Sequence, residues 1–212
     1  MGESAEEYTW LLDALDDRRV VAVDVRGRGR SDAPPRGYTW EDHVGDVASV
    51  IDAAGLERPV LVGFSRGSSY VLGYALMAPE RVRALVIGDY FARHVGLPPE
   101  FAERQLAVVL RGVPMSERMP EHAVLGVARE SREVPLWDRL RELRGPVLLV
   151  RGGRRGVLAN DEVTAQWQAA LPSVRVEMLP NAGHDLWSRD PDAYLAVLRP
   201  FLDSVDRAPR TS

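Results

Sequence analysis

The sequence predicts an α/β domain built on a mostly parallel sheet, and three observations lead to this fold class. Short apolar runs rich in Val, Ile and Leu alternate along the chain with segments of helical periodicity. The runs are almost continuously apolar, which is typical of parallel strands buried on both faces. The chain has 212 residues, enough for one domain with a sizeable core. This alternation favours right-handed crossovers with helices on both faces of the sheet.

Five strands and five helices are predicted in alternation. The strands are residues 20–25 (VVAVDV), 59–64 (PVLVGF), 84–89 (ALVIGD), 146–152 (PVLLVRG) and 174–179 (VRVEML). The helices are residues 4–16, 41–54, 66–78, 160–171 and 191–204. Two acidic residues, Asp161 and Glu162, suit the start of the fourth helix, where the helix dipole favours negative charge.

One segment, residues 91–143, interrupts the alternation. It has helical stretches but no convincing strand, and it is broken by GLPPE and VPMSERMP. It is too long for a plain connection. The segment is therefore either scaffold or a small helical cap over a pocket. We predict a core of residues 1–90 and 144–212, with residues 91–143 as the cap.

The composition excludes several classes of protein. The net charge is -4, so there is no basic surplus for nucleic acid or an anionic membrane. The chain has no Cys, and no apolar run approaches the ~20 residues of a membrane helix. The N-terminal MGESAEEYTW lacks a signal-peptide pattern. We expect a cytoplasmic protein with a small-molecule substrate, no cofactor and no metal, and the oligomeric state stays open.

A serine lies between two glycines in Gly63-Phe64-Ser65-Arg66-Gly67. It follows a predicted buried strand and precedes a predicted helix, the setting in which a strained turn exposes a nucleophile. Side chains at either glycine are expected to clash with the flanking strand and helix. The Arg66 backbone N–H lies at the positive end of the helix, where it can bind an oxyanion. A purely structural turn is the alternative reading of the pentapeptide alone.

From about residue 2 to about residue 204 the chain resembles the α/β-hydrolase superfamily. The matching pieces, in the family's order, are VVAVDVRGRGRSDAP, VGFSRG, APERVRALVIGD, PVLLVRGG and LPNAGHDLW. The resemblance implies the α/β-hydrolase fold and a nucleophilic Ser65. It departs from the usual pattern at Phe64, where most relatives carry His.

The resemblance also implies a catalytic base. A serine is a poor nucleophile at neutral pH unless an imidazole takes its proton. Of the four histidines, the resemblance selects His184, in LPNAGHDLW. We expect His43 to be a surface residue of a helical turn, while His94 and His122, in the segment 91–143, could line the pocket.

The third member of the site should be an acid that orients the imidazole. Most of the superfamily carries it in the loop after the strand at 146–152, but there this chain has Gly156 at the expected position. Asp161, further along, looks like a helix N-terminal charge. A second place for the acid in the superfamily is the end of the strand after the helix at 66–78, which is Asp89 in this chain. We predict Asp89, with Asp161 as the alternative.

These residues predict a serine hydrolase that cleaves an ester, thioester or lactone through an acyl-enzyme. Amide, peptide and carbon–carbon bond hydrolysis stay open because they use the same constellation. The alternative is a non-hydrolytic or degenerate member of the superfamily that binds a small molecule. The substrate is not defined by the sequence, and Trp137 and Trp187 could line a pocket or belong to the core.

The resemblance further implies a strand ending in His-Gly before a segment like GESAEEYTWLLDAL, and the loop after it supplies a second oxyanion N–H. Met1 stands where the residue after His-Gly would be, so it is the candidate second oxyanion donor. In the family this strand lies between those predicted at 20–25 and 59–64. We therefore expect the native protein to extend upstream by roughly 25–40 residues, enough for about three short strands.

Overall fold

The structure, a computed structural model, describes residues 2–98 and 100–208. The chain divides into two compact units. The first unit comprises Met1–Val50 and Val95–Val134, and the second comprises Ile51–His94 and Pro135–Ser212. The predicted division into core and cap follows different boundaries and stays a prediction.

The strands of the described residues fall into one group of five or six residues each and one group of two residues each. The longer strands are β1 (Val60–Phe64), β2 (Ala84–Gly88), β7 (Val147–Gly152) and β8 (Arg175–Leu179). The two-residue strands are β3 (Arg93–His94), β4 (Val109–Leu110), β5 (Val113–Pro114) and β6 (Val134–Pro135).

The α-helices of the described residues are α1 (Thr9–Ala14), α2 (Trp40–Ala53), α3 (Arg66–Met77), α4 (Phe101–Leu106), α5 (Met115–Arg118), α6 (Glu121–Glu130), α7 (Asp161–Ala170) and α8 (Pro191–Arg207). Short 3₁₀ helices cover Ala5–Tyr8, Pro79–Arg81 and Trp137–Glu142. All five predicted helices are present, with ends that differ by a few residues. The first of them divides into the 3₁₀ turn Ala5–Tyr8 and α1.

The second unit contains a four-stranded sheet in the order β1-β2-β7-β8, with all neighbours parallel. All five residues of β2 are buried, as are Val147–Val150 of β7. This burial explains why the apolar runs are nearly continuous, because both faces of these strands are covered. Helix α3 packs against β1 and β2. The four predicted strands at 59–64, 84–89, 146–152 and 174–179 are confirmed.

The strand predicted at residues 20–25 is wrong for the residues that the structure describes. The segment has no strand assignment, and Val21 and Val23 are exposed to 42% and 44%. An apolar run becomes a strand only when a neighbour supplies the hydrogen-bonded ladder. No ladder to this segment exists within residues 2–98 and 100–208.

The first unit is mainly helical. Its core contains Tyr38, with side chains from α4, α5 and α6 and from the turns that join them. The Glu130 carboxylate accepts hydrogen bonds from the N–H groups of Gly37 and Tyr38, at 3.0 and 2.7 Å, and so fixes the loop before α2. Residues 91–143 hold α4–α6, as the helical prediction required, and also the two-residue strands, which the sequence did not indicate. Within the described ranges, no helix is long and apolar enough to cross a membrane.

Candidate active site

The turn at residues 63–67, which we call the serine elbow, has the strained backbone that its sequence predicts. Ser65 has φ 50° and ψ −132°, a conformation that costs a non-glycine residue free energy and persists only where its surroundings impose it. Its N–H donates to the Gly88 carbonyl at 2.8 Å, which ties the turn to the end of β2. The Ser65 carbonyl accepts from the Ser68 N–H at 2.9 Å and begins α3. The strain therefore presents Ser65 between a strand end and a helix start.

The two glycines of the elbow have different roles. A Cβ atom at Gly63 would lie 2.6 Å from Ser68 Cα and 2.8 Å from Ser68 N, so only glycine allows α3 to pass this close. The predicted clash at Gly67 is wrong, because a Cβ there would meet no described atom within 4 Å apart from its chain neighbours and the backbone of its own helix. Gly67 belongs to the first turn of α3, and a side chain at this position would have free space around it.

The loop after β8, residues 180–190, carries His184, and we refer to it as the histidine loop. Its backbone is attached to the end of β7: the N–H of Arg154 donates to the Ala182 carbonyl at 3.1 Å, and that of Gly153 to the Leu179 carbonyl at 2.9 Å. A Cβ atom at Gly152 would lie 2.6 Å from the Ala182 carbonyl oxygen. Glycine at 152 is therefore needed for the histidine loop to approach β7.

Ser65, His184 and Asp89, the three predicted site residues, form one hydrogen-bonded chain. The His184 Nδ1 atom is 2.7 Å from Asp89 Oδ2, and its Nε2 atom is 3.0 Å from Ser65 Oγ. A carboxylate can only accept, so Nδ1 carries the imidazole proton and Nε2 accepts from the serine hydroxyl. The His184 side chain is 36% exposed, whereas that of Asp89 is fully buried.

The loop after β7 holds the Asp89 carboxylate. The N–H of Leu158 donates to Asp89 Oδ2 at 3.0 Å, and the N–H of Ala159 donates to Oδ1 at 2.9 Å. With the His184 bond, the buried carboxylate accepts three hydrogen bonds, which compensates for its removal from water. Asp89 has φ 45°, and its N–H donates to Val150 in β7 at 2.8 Å. The loop in which the sequence lacks an acid thus supplies donors to an acid on the neighbouring strand.

The alternative acid, Asp161, lies elsewhere. It is the first residue of α7, its side chain is 94% exposed, and it pairs with Arg151 at 2.6 Å. Asn160 caps the helix by accepting from the Val163 N–H at 2.9 Å. The geometry therefore pairs Asp89, and not Asp161, with His184.

Phe64, where the sequence departs from the usual elbow, packs on the imidazole. The ring centroids of Phe64 and His184 are 4.9 Å apart with a 31° interplanar angle. Trp187 meets Phe64 edge-on at 4.6 Å and is itself buried. Trp187 is thus a core residue of the histidine loop. Trp137 is half-buried and packs edge-on against Trp167.

The remaining histidines are outside the hydrogen-bonded chain. The prediction that His43 is a surface residue is wrong: it is 2% exposed, on the inner face of α2, and its Nδ1 donates to the Thr39 carbonyl at 2.7 Å. Burial lowers the pKa of His43 from its ordinary 6.5 to about 4. His122 is exposed and donates to the Ala33 carbonyl at 3.0 Å. His94 is buried against Arg66 and Ser69.

Arg66, the predicted oxyanion donor, is the first residue of α3. The N–H groups of a first helical turn have no acceptor within the helix, so they point beyond its N-terminus. The second predicted donor, Met1, lies outside the described residues. In the part of the chain that is described, no group of three or more His, Cys, Asp or Glu side chains is placed to hold a metal ion.

The fold and the site together define an α/β-hydrolase-type protein with a Ser–His–Asp constellation. Comparison with known proteins agrees: a model of the alpha/beta hydrolase fold matches residues 1–112, and the chain belongs to that family. A Bacillus subtilis relative, provisionally named a 2-succinyl-6-hydroxy-2,4-cyclohexadiene-1-carboxylate synthase, is 27% identical over 95% of this chain and 87% of its own.

Other relatives are named as hydrolases and esterases. The 2-(acetamidomethylene)succinate hydrolase of Mesorhizobium japonicum is 26% identical over 92% of this chain and 82% of its own. The solved structure of an esterase from Exiguobacterium antarcticum superposes with a TM-score of 0.78, at 21% identity, over 94% of this chain and 88% of that one. The structural likeness establishes the fold, and the named relatives act on small molecules.

Proposed function

We propose that this protein is a serine hydrolase that cleaves a small-molecule ester, thioester or lactone through an acyl-enzyme. The observation that carries the proposal is the chain of contacts from Ser65 Oγ to His184 Nε2, at 3.0 Å, and from His184 Nδ1 to Asp89 Oδ2, at 2.7 Å. The base is thereby within hydrogen-bonding reach of both the nucleophile and the orienting acid.

In the proposed reaction, Ser65 Oγ attacks the carbonyl carbon of the substrate while His184 Nε2 takes the hydroxyl proton. The imidazolium that forms is stabilised by the Asp89 carboxylate. His184 then gives the proton to the leaving group, and the carbon–oxygen or carbon–sulfur bond breaks. A water molecule then gives a proton to the same imidazole and attacks the acyl carbon; the bond from that carbon to Ser65 Oγ breaks, His184 returns the proton to Ser65 Oγ, and the carboxylic acid leaves.

The negative charge of the tetrahedral intermediate needs a hydrogen-bond donor. We assign the Arg66 backbone N–H to this role, since it follows Ser65 directly and begins α3. The aligned peptide groups of a helix give its N-terminus a partial positive charge, which favours an oxyanion there. One such donor is worth about 10²–10³-fold in rate.

The alternative of a degenerate member that only binds a small molecule drew its support from the acid-free loop around Gly156. That loop donates two backbone N–H groups to Asp89, so its sequence is compatible with an intact acid at another position. The hydrolytic proposal is therefore the better supported of the two.

The relatives suggest which bonds to test. Esterases and a hydrolase named for an acetamidomethylene compound occur among them, so both esters and an N-acyl enamine are reasonable substrates. A panel of nitrophenyl esters with short and long acyl chains, extended by thioesters, lactones and an acetamido compound, separates these classes by kcat/KM.

The direct test is labelling with a fluorophosphonate, which reacts with an activated serine and spares an inert one. We expect the wild type to be labelled and to hydrolyse esters, and Ser65→Ala to lose both properties, with a rate loss on the order of 10³-fold or more. Ser49→Ala is a matched control because Ser49 is an exposed residue of α2. Near-normal turnover by Ser65→Ala would remove the nucleophile assignment.

A further inference from the structure

A second buried histidine lies beside the elbow, in the segment that follows Asp89. His94, in β3, is 1% exposed, and its ring nitrogens contact two residues at the start of α3. The Arg66 Nη2 atom is 2.6 Å from His94 Nε2, and the Ser69 Oγ atom is 2.9 Å from His94 Nδ1. Ser69, which is fully buried, also donates its hydroxyl to the Arg66 carbonyl at 2.7 Å.

Donor and acceptor chemistry fixes the direction of these three bonds. A guanidinium can only donate, so His94 Nε2 accepts from Arg66 and carries no proton. The proton of the neutral ring is then on Nδ1, which donates to Ser69 Oγ. The Ser69 hydroxyl in turn donates to the Arg66 carbonyl. The three residues form a closed ring of hydrogen bonds that begins and ends on Arg66 and that requires the Nδ1–H tautomer of His94.

This ring holds Arg66 at two points, its guanidinium and its carbonyl. The guanidinium is also held through Nε, which donates to the Tyr70 hydroxyl at 3.2 Å. The segment that supplies His94 begins at Asp89, so one stretch of six residues contacts both the catalytic histidine and the residue after the nucleophile. The first turn of α3 is thereby fixed relative to the end of β2.

We propose that His94 is a positioning residue, which holds the Arg66 backbone N–H where it binds the oxyanion. The inference rests on the proposed function, because it assigns a support to the oxyanion donor of that reaction. An oxyanion donor acts on the transition state and very little on the bound substrate. Loss of the ring should therefore lower kcat and leave KM nearly unchanged.

Variants at position 94 can separate the two bonds that His94 makes in the ring. A glutamine at 94 places an amide oxygen near the position of Nε2 and can still accept from Arg66. An asparagine places an amide N–H near the position of Nδ1 and can still donate to Ser69. Leucine keeps neither bond. We expect His94→Leu to lose about 10–100-fold in kcat, which is less than the loss expected when an oxyanion donor is missing altogether. The kcat values of His94→Gln and His94→Asn should lie between those of the wild type and His94→Leu.

Ser69→Ala tests the same ring independently, since it removes the bond from His94 Nδ1 and the bond to the Arg66 carbonyl but leaves the imidazole and its bond to the Arg66 guanidinium in place. It should lower kcat, and because both changes break the bond between His94 and Ser69, the double variant should lose less than the product of the two single losses. His122→Leu is the matched control, because His122 is exposed and outside the ring. Thermal unfolding of each variant accompanies the kinetics.

Two further measurements distinguish positioning from a general loss of structure. The affinity for a phosphonate that mimics the tetrahedral intermediate should fall in proportion to kcat. The ¹⁵N shifts of the His94 ring in the wild type should report the Nδ1–H tautomer. Three outcomes would overturn this inference and leave the proposed function standing. They are a wild-type kcat in both His94→Leu and Ser69→Ala, an effect of these changes on KM only, and an Nε2–H tautomer of His94. An unlabelled wild type, or an active Ser65→Ala, would overturn the proposed function and the inference with it.

Discussion

Replacement of the buried acid by its amide, Asp89→Asn, should nearly abolish hydrolysis. The Asp89 carboxylate lies 2.7 Å from the ring nitrogen that becomes part of the imidazolium. Opposite unit charges at that separation attract by about 6 kcal/mol with an effective dielectric constant of about 20. Because each 1.36 kcal/mol is a factor of ten in rate, loss of the charge corresponds to about 10⁴-fold. That agrees with the ~10⁴-fold known for the same change in a serine protease.

The amide also disturbs the hydrogen bonds of the site. Both oxygens of Asp89 accept from backbone N–H groups, those of Leu158 and Ala159. An asparagine NH₂ group must face one of these donors or His184, so at least one buried N–H loses its acceptor. The expected cost in the free energy of unfolding is about 1–3 kcal/mol. The variant should therefore fold, with a lower melting temperature.

The assay is kcat/KM for an activated ester, measured beside thermal unfolding. Asp161→Asn is the matched control, since its side chain is 94% exposed and its pair with Arg151 is a surface contact. We expect the control to keep wild-type activity. A folded Asp89→Asn within about tenfold of the wild type, together with an inactive Asp161→Asn, would show that the acid lies after β7 and would refute the reasoning.

Two other predictions concern the supports of the fold and of the histidine loop. Burial lowers the pKa of His43 from 6.5 to about 4. Between these pH values the His43 ring is protonated in the unfolded state and neutral in the folded state, so the folded state loses about 3 kcal/mol of stability as the pH falls from 6.5 to 4. Denaturant unfolding at pH 7 and pH 4 should show that loss in the wild type and in His122→Gln, and a smaller loss in His43→Gln. An equal loss of unfolding free energy in all three proteins would contradict the prediction. Gly152→Ala places a Cβ 2.6 Å from the Ala182 carbonyl and should lower kcat by about 10²-fold through a displaced histidine loop. In the control, Gly45→Ala, the added Cβ meets no described atom within 4 Å apart from its chain neighbours and the backbone of α2. Equal activity of the two variants would count against the packing argument.

The elements that were predictable from sequence are those whose signals are local. The strands at 84–89 and 146–152 are almost continuously apolar in sequence, and they correspond to the neighbouring strands β2 and β7, which are buried in the sheet. The run at 20–25 has the same local pattern and is not a strand among the described residues. Strand formation depends on a partner that is distant in sequence, and no local pattern reports whether that partner is present.

The three side chains of the site were predictable from the sequence, whereas the backbone donors to the buried acid were not. Ser65, His184 and Asp89 each stand at a strand end or in a motif, and the structure brings all three together. The donors at Leu158 and Ala159 are backbone N–H groups, which every residue except proline carries, so no residue type marks them in the sequence. The burial of His43 was also missed, since one histidine on a helical face looks the same whether that face is inward or outward.

The position of the acid at Asp89 and the sequence of the loop after β7 depend on each other. A buried carboxylate is stable only when donors surround its oxygens. With the acid on the strand end at Asp89, the loop must provide those donors, and it does so through two consecutive N–H groups. Gly156, with φ 87°, lies two residues before them, in a conformation that an aspartate would adopt only under strain. The glycine that replaces the expected acid is thus suited to the loop that supports the acid elsewhere.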